Sequence, residues 1–540
     1  MTISLPPISY PAKPRAPFTG TPPQNLFPDR FPTEWKNIPG KPYITVSSKG
    51  LANGLSEYIN DGADFGPDSL QADGTLTDTL GIQEAGIYAI ANGIGRINII
   101  GSYGNKFMLN TNVLLYYNEV SNPTPPQPLE IVGIGEPYIQ ASTSFANTPI
   151  NGNSSYSTTM IVILNLPTLV TIKGLILDGN NTVEWGIAGT ANEVIVEYNK
   201  AINFTDTGIN ITSMDFSDAG TQIADKVIIR NNFCNNNAGA DINTEGMNEI
   251  ITNNMCFSGN GASTQTNIIA ETAVSVIITG NHCANGVAYA ISVESGSANS
   301  AENGKVVVSN NICESSGDGI MVNTESSTQV LTDIIIESNI IRKTTGTSAI
   351  VIQGTGTNKN VSIQGNVIAD TSATYEIYIG GGAVFENLNI HNNMIYNNTG
   401  SGTTRNPIYV TSGTTISGLK ITENFIGAGE GQIVVPSGAG YNPSPTLSAN
   451  PPASGTAYQN TNPYDIEIDL PVYATTAGTA GYVTIAKGAS STPTAIGNQF
   501  VSGSTSSTSV DIIRLRVPAG WYYEFTESGV TFGTASVFAE

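Results

Sequence analysis

VIIRNNFC at 227–234, IITNNMC at 250–256, VIITGNHC at 276–283 and VVVSNNIC at 306–313 are one pattern written four times. Each copy is a β-branched run, a ladder-like Asn and a Cys two residues later. Working outward, runs of this kind end at Asn180, Asn199, Asn232, Asn254, Asn281, Asn311, Asn339, Asn366, Asn393 and Asn424. The spacing varies while the pattern holds, which means constant strands joined by variable loops. A second strand follows each Asn: GADINTE (239–245), TNIIAE (266–271), AYAISVE (288–294), GDGIMVN (317–323), TSAIVIQ (347–353) and TYEIYIG (374–380). Its inward pair is an Ile and the residue two along, as in Ile242/Thr244, Ile268/Ala270, Ile291/Val293 and Ile320/Val322. Two strands per coil, repeated about ten times, predict an all-β parallel β-helix. One coil cannot bury its apolar face, but coils stacked ~4.8 Å apart share a core. One Asn per coil predicts a ladder, each side-chain amide serving the Asn above and below.

Composition agrees. The 540 residues carry Lys+Arg 21 against Asp+Glu 43, a net charge of −22, and charged residues are 12% of the chain, about half the usual ~25%. An acidic chain does not neutralise phosphates, so no nucleic-acid partner is expected. Two His exclude a three-His zinc site and leave little for a His-based triad. Hydrophobic residues at 39% argue against disorder. No apolar run is long enough to span a membrane, and MTISLPPISYPAKPRAPF shows no secretory signal pattern.

Around the repeat, residues 1–44 form a Pro-rich extended arm, since proline fixes φ and removes donors. A parallel β-helix is expected over 45–441. It starts with a capping helix near 78–92, where Thr77 or Asp78 is the N-cap and Gly93 the stop. Residues 442–457 read as a linker, and 458–540 as a C-terminal antiparallel β-sandwich.

Asp61-Gly62-Ala63, then Thr77, Asp78, Thr79, Ile82, Gln83 and Ala85, then Ile97, Ile99, Gly101 and Tyr103 resemble the opening of the pectate-lyase-like right-handed parallel β-helix superfamily. The resemblance covers about residues 58–435. With an N-terminal arm and a separate C-terminal module, the chain looks most like phage and archaeal-virus tailspikes or fibres. That resemblance implies a homotrimer in the virion tail or spike, extracellular after release, which recognises a host surface glycan. It also implies contacts to other tail proteins through residues 1–44. The family's catalytic motifs leave only shadows, Asn243-Thr244-Glu245 and Gly317-Asp318-Gly319, so hydrolysis stays open. A free polysaccharide-degrading enzyme (hydrolase or lyase) and a purely structural virion protein are the alternatives.

Aligning the coils puts Glu245, Glu271 and Glu294 in one solvent-facing column, each three residues after the anchor Ile. Asn323, Gln353, Gly380 and Thr411 continue it. Stacked carboxyls repel, so one should keep its proton to higher pH. These three are the catalytic candidates. Asp215 and Asp218 are further candidates, from the loop at 213–225. Phe216, Glu302, Asn323 and Gln353 are candidate substrate-binding residues. No metal site is assigned and no cofactor is expected. Ca²⁺ held by the oxygen-rich column is a second reading, and a solvated acidic stripe is a third. Cys234, Cys256, Cys283 and Cys313 share a column that later coils fill with Ile, which predicts buried thiols. Tyr378 and Tyr409 face outward on neighbouring coils, toward a subunit or a sugar. His282 and His391 read as structural.

Overall fold

The computed structural model describes residues 43–47, 51–52, 55–56, 63–65, 69–70, 76–77, 80–101, 106–116, 127–146, 158–212, 224–258, 265–295, 304–396, 405–427, 433–436, 452–460, 465–474, 481–501, 510–518, 521–533 and 535–539. The arm up to residue 42, the linker from 442 to 451, Asp215, Phe216, Asp218 and Glu302 lie outside them. Ile44, placed by the sequence at the end of the arm, is fully buried in a strand, Ile44–Ser47, that pairs in parallel with Arg96–Ile100.

From there the chain winds as a parallel β-helix. Each coil has three strands rather than the two expected. Strand Lys226–Arg230 leads through Asn231 and Asn232 into the short strand Phe233–Asn235, and then into the long strand Ala240–Thr252. The long strand bends near Gly246, and its second half begins the next coil by pairing with Val276–Thr279. The short strands build their own 12-stranded sheet, running from Phe107–Leu109 to Phe425–Ile426. Three residues are too few for a period-2 pattern to show, which is why the third strand was missed in the sequence.

The register is set by aliphatic columns. Ile242, Ile268, Ile291, Ile320, Ile350, Ile377 and Ile408 pair coil to coil and are fully buried. A one-residue slip would turn every one of them to solvent. The four cysteines pair in the short sheet and continue as Ile341, Ile368 and Ile395. All four are free and buried, because the position is an interior, aliphatic one.

The asparagine ladder runs from Asn199 to Asn424. At each rung the backbone N–H donates to the next Asn Oδ1, at 2.9 Å for Asn199 to Asn232 and 3.0 Å for Asn311 to Asn339. The amide Nδ2 donates twice: Asn311 reaches Asn339 Oδ1 at 3.0 Å and the Ile278 carbonyl at 2.9 Å. Asn180 is not a rung. Its segment, Ile176–Asp178, is a short strand paired with Lys200–Ile202. The ladder position of that coil is Leu175, whose N–H donates to Asn199 Oδ1 at 3.0 Å.

Helix α1 (Leu80–Asn92) covers the first coils. Its apolar Ile82, Ala85, Tyr88, Ala89 and Ile90 join the main core. Gln83 is buried; its amide donates to the Leu114 carbonyl at 2.9 Å and its carbonyl accepts the Leu114 N–H, so one side chain completes a strand's backbone bonding. Gly93 ends the helix at φ 63°, with the Ile94 N–H closing on the Ala89 carbonyl at 2.8 Å, a left-handed helix stop.

The C-terminal module is two antiparallel sheets. One orders Tyr458–Gln459, Tyr522–Ser528, Gly481–Gly488 and Thr494–Val501. In the other, Ile466–Ala474 pairs with Val510–Val517, Val530–Phe532 and Ser536–Ala539. Alternating Ile466, Ile468, Leu470 and Val472 meet Val483, Phe525 and Phe532 in a separate core, the layering of a sandwich.

Candidate functional site

The outer face of the long-strand sheet carries the carboxyl column. Glu245 pairs with Glu271, Glu271 with Glu294, Glu294 with Asn323 and Asn323 with Gln353. In-register coils therefore repeat three carboxyls at ~4.8 Å, then two amides. All five are half-buried. Ser292 Oγ donates to Glu294 Oε1 at 2.8 Å. Burial and the charge of Glu294 raise the carboxyl of Glu325, just beyond the next coil's strand.

Glu271 is the middle member. Burial pushes its carboxyl up, and the charges of Glu245, Glu294 and Glu325 push it further, to about 7. A carboxyl that stays protonated near neutrality can donate a proton, while an ionised neighbour serves as base or nucleophile. Neighbouring coils approach the ~5 Å carboxyl separation of a retaining glycosidase, and alternate coils the ~6.5–9.5 Å of an inverting one.

Sequence reasoning missed Glu249 and Glu325. Glu249 pairs with Val227 below and Val276 above, so it stands in an interior aliphatic column. It is buried, accepting from Thr244 Oγ1 at 2.8 Å and the Gly246 N–H at 2.6 Å. Burial, with Glu271 and Glu245 adding to it, raises its carboxyl to about 8 despite those two bonds. The signal was present: EIITNN at 249–254 against VIIRNN at 227–232 puts Glu where Val belongs. Glu325 follows the strand's end and had no periodic marker.

A second buried carboxyl stands near the start of the same long strand, Ala240–Thr252. Asp241 accepts from Asn237 Nδ2 at 2.8 Å, Asn267 Nδ2 at 2.9 Å and Ser258 Oγ at 3.0 Å. Burial outweighs these bonds and raises it to about 6. Among the described residues no group of three or more His, Cys, Asp or Glu side chains is arranged to hold a metal ion. His282 sits edge-on to Phe257 at 5.1 Å, on the outer face of the short sheet and away from the carboxyl column.

No protein-family model matches the chain, and none of the curated proteins does. Solved structures do. The Dettilon tailspike protein is similar with a TM-score of 0.43 at 12% identity, over 87% of this chain and 92% of that one. The tailspike of Acinetobacter baumannii bacteriophage Fri1, a capsular polysaccharide depolymerase, gives 0.36 at 10% identity, over 92% and 88%. A GH87 α-1,3-glucanase from Streptomyces thermodiastaticus gives 0.38 at 15%, over 69% of each. The parallel β-helix of this chain is established by its own strand register.

Proposed function

We propose that the protein is a viral tailspike or fibre protein that recognises a host cell-surface glycan and hydrolyses it at the carboxyl column. The likeness to solved tailspikes is one of fold, so the reading rests on the site. One observation carries it: three in-register carboxyls on a solvent-facing sheet, where the next two coils hold Asn and Gln. A solenoid repeats like charge against itself, and a coil with an amide there avoids the repulsion. The fold has no use for three such groups, while acid–base chemistry does.

Glu271 is assigned as the acid that protonates the leaving glycosidic oxygen. Glu245 or Glu294 is the second carboxyl, and Asn323 and Gln353 hydrogen-bond sugar hydroxyls. The protein is assigned as a homotrimer, because the short sheet's outer face bears a column, apolar except for His282, that no described residue covers. Phe233, Met255, His282, Ile312, Ile340, Val367, Met394 and Phe425 follow one another in register. Met255 is 46% exposed, Met394 45% and Phe425 60%. The arm, residues 1–42, is assigned to attachment in the virion on its proline content.

The test is reducing-sugar release from purified bacterial and archaeal capsular and lipopolysaccharide preparations, wild type against Glu271→Gln. Release should fall by about 100-fold or more with binding retained. Equal release from both proteins would remove the column as the site. Binding without release by the wild type would make the protein an adhesin.

A further inference from the structure

The carboxyl column ends at an aromatic ring. Above Gln353 the next position in the column is Gly380, one residue past the pairing of Ile352 with Ile379. A side chain there would displace the group that now occupies the space. A Cβ on Gly380 would lie 2.7 Å from Cε1, Cζ and the hydroxyl of Tyr378. Tyr378 therefore folds over its own strand and fills the column, where the coils below carry Gln353, Asn323 and Glu294.

Tyr378 does not stand alone. Its ring lies 6.0 Å from Tyr409 at an interplanar angle of 12° and 5.4 Å from Tyr375 at 39°. Tyr375 and Tyr409 stack at 4.4 Å and 27°. At the position of Tyr378, earlier coils hold Ser292, Met321 and Val351, so the sheet does not need an aromatic there. All three tyrosines are half-buried.

Resting on the glycan reading above, we propose that Tyr378, supported by Tyr375 and Tyr409, is an aromatic subsite. It packs on the apolar C–H face of one sugar ring of a polysaccharide laid along the β-helix axis. The amides of Asn323 and Gln353 bridge this subsite and Glu294. Three coil steps separate Glu294 from Gly380, about 14 Å at ~4.8 Å per coil. A short oligosaccharide held at Glu271 does not reach the ring; a longer one does. Gly380 is the positioning residue, since any larger side chain there lifts the ring out of the column. An aromatic face with a few placed polar groups is the usual composition of a small-ligand site.

The test starts with the glycan that binds wild type most tightly on a printed array of microbial capsular and O-antigen polysaccharides. Oligosaccharides of increasing length are cut from it and titrated calorimetrically. Tyr378→Ala should weaken the long oligosaccharides roughly tenfold, a usual loss for a truncated aromatic anchor, and leave the shortest binders unchanged. Gly380→Val keeps all three tyrosines and should give the same length-dependent loss. Tyr378→Phe keeps the ring and should bind like wild type. Thermal melting of each variant checks the fold. Wild-type affinity for every length in both Tyr378→Ala and Gly380→Val would overturn the subsite and leave the glycan reading standing. No binding of any array glycan by wild type would overturn both.

Discussion

The residue before each ladder Asn is held at positive φ: Tyr198, Asn231, Asn253, Gly280, Asn310, Ser338, Gly365, Asn392 and Glu423 lie between 55° and 70°. Glycine and asparagine tolerate this conformation best, which accounts for the Asn-Asn and Gly-Asn pairs in the repeat. Ser338, at φ 56°, has no such tolerance. Ser338→Gly should raise stability by about 0.5 kcal/mol, relief of strain exceeding the added unfolded-state entropy. Asn311→Ala should lower it by about 3 kcal/mol, because the Asn281 N–H and Nδ2 and the Ile278 carbonyl lose a buried partner. Urea midpoints of the two variants check both signs. A loss below 1 kcal/mol at Asn311 would show that the ladder is decoration on a core that holds itself. The ladder itself was legible because Asn recurs once per coil. The left-handed residue was not read out, since the pattern before Asn also admits Tyr, Ser and Glu. Glu249 was legible only after alignment against the aliphatic column, a comparison that a search for exposed acids does not make.

The elements were read unevenly. Both long-strand classes showed in the sequence through aliphatic alternation and triplets. The short strands were hidden, although the Cys column that marks their interior side was recognised as equivalent to Ile. The helix was announced by its apolar spacing and by Gly93, but the pairing of Gln83 with the Leu114 backbone is a tertiary fact with no local trace. The outer side of the short sheet gives an element-scale prediction. Exposed, contiguous apolar patches on soluble chains mark interfaces. Eight register-matched positions from Phe233 to Phe425 extend about 34 Å at ~4.8 Å per coil, and a straight column fits a parallel copy of itself. In light scattering, wild type should have three times the chain mass of 56.5 kDa. Met255→Asp combined with Met394→Asp should shift the mass toward the single chain. A wild type that runs as one chain would sink the trimer, and a double variant that remains trimeric would move the interface to another face.

For the whole molecule, acidity has a direction as well as a size. The net charge of −22 opposes a compact state at neutral pH, and the buried acids act in the same sense. Glu249 titrates at about 8, Glu271 at about 7 and Asp241 at about 6 when folded, against roughly 4 for such groups in an unfolded chain. Below pH ~4 both states hold the protons, and the full stabilisation is present. As pH rises toward 8, the unfolded chain has already released protons that the folded chain retains, so stability falls across that window. Asp178 and Glu314 are shifted the other way, down, and their contribution is lost only below the ordinary carboxylate range. Between pH 5 and 8 nothing from them offsets the loss. The melting temperature should therefore be higher at pH 5 than at pH 8. Glu249→Gln removes the largest of the three shifts and keeps one acceptor, for the Gly246 N–H, while its amide NH2 can donate to Thr244 Oγ1, so it should flatten the slope and gain most at pH 8. A slope that is unchanged in Glu249→Gln would assign the pH dependence to net charge alone. Raising ionic strength separates the two, because salt screens the surface repulsion and leaves a buried carboxyl largely unscreened.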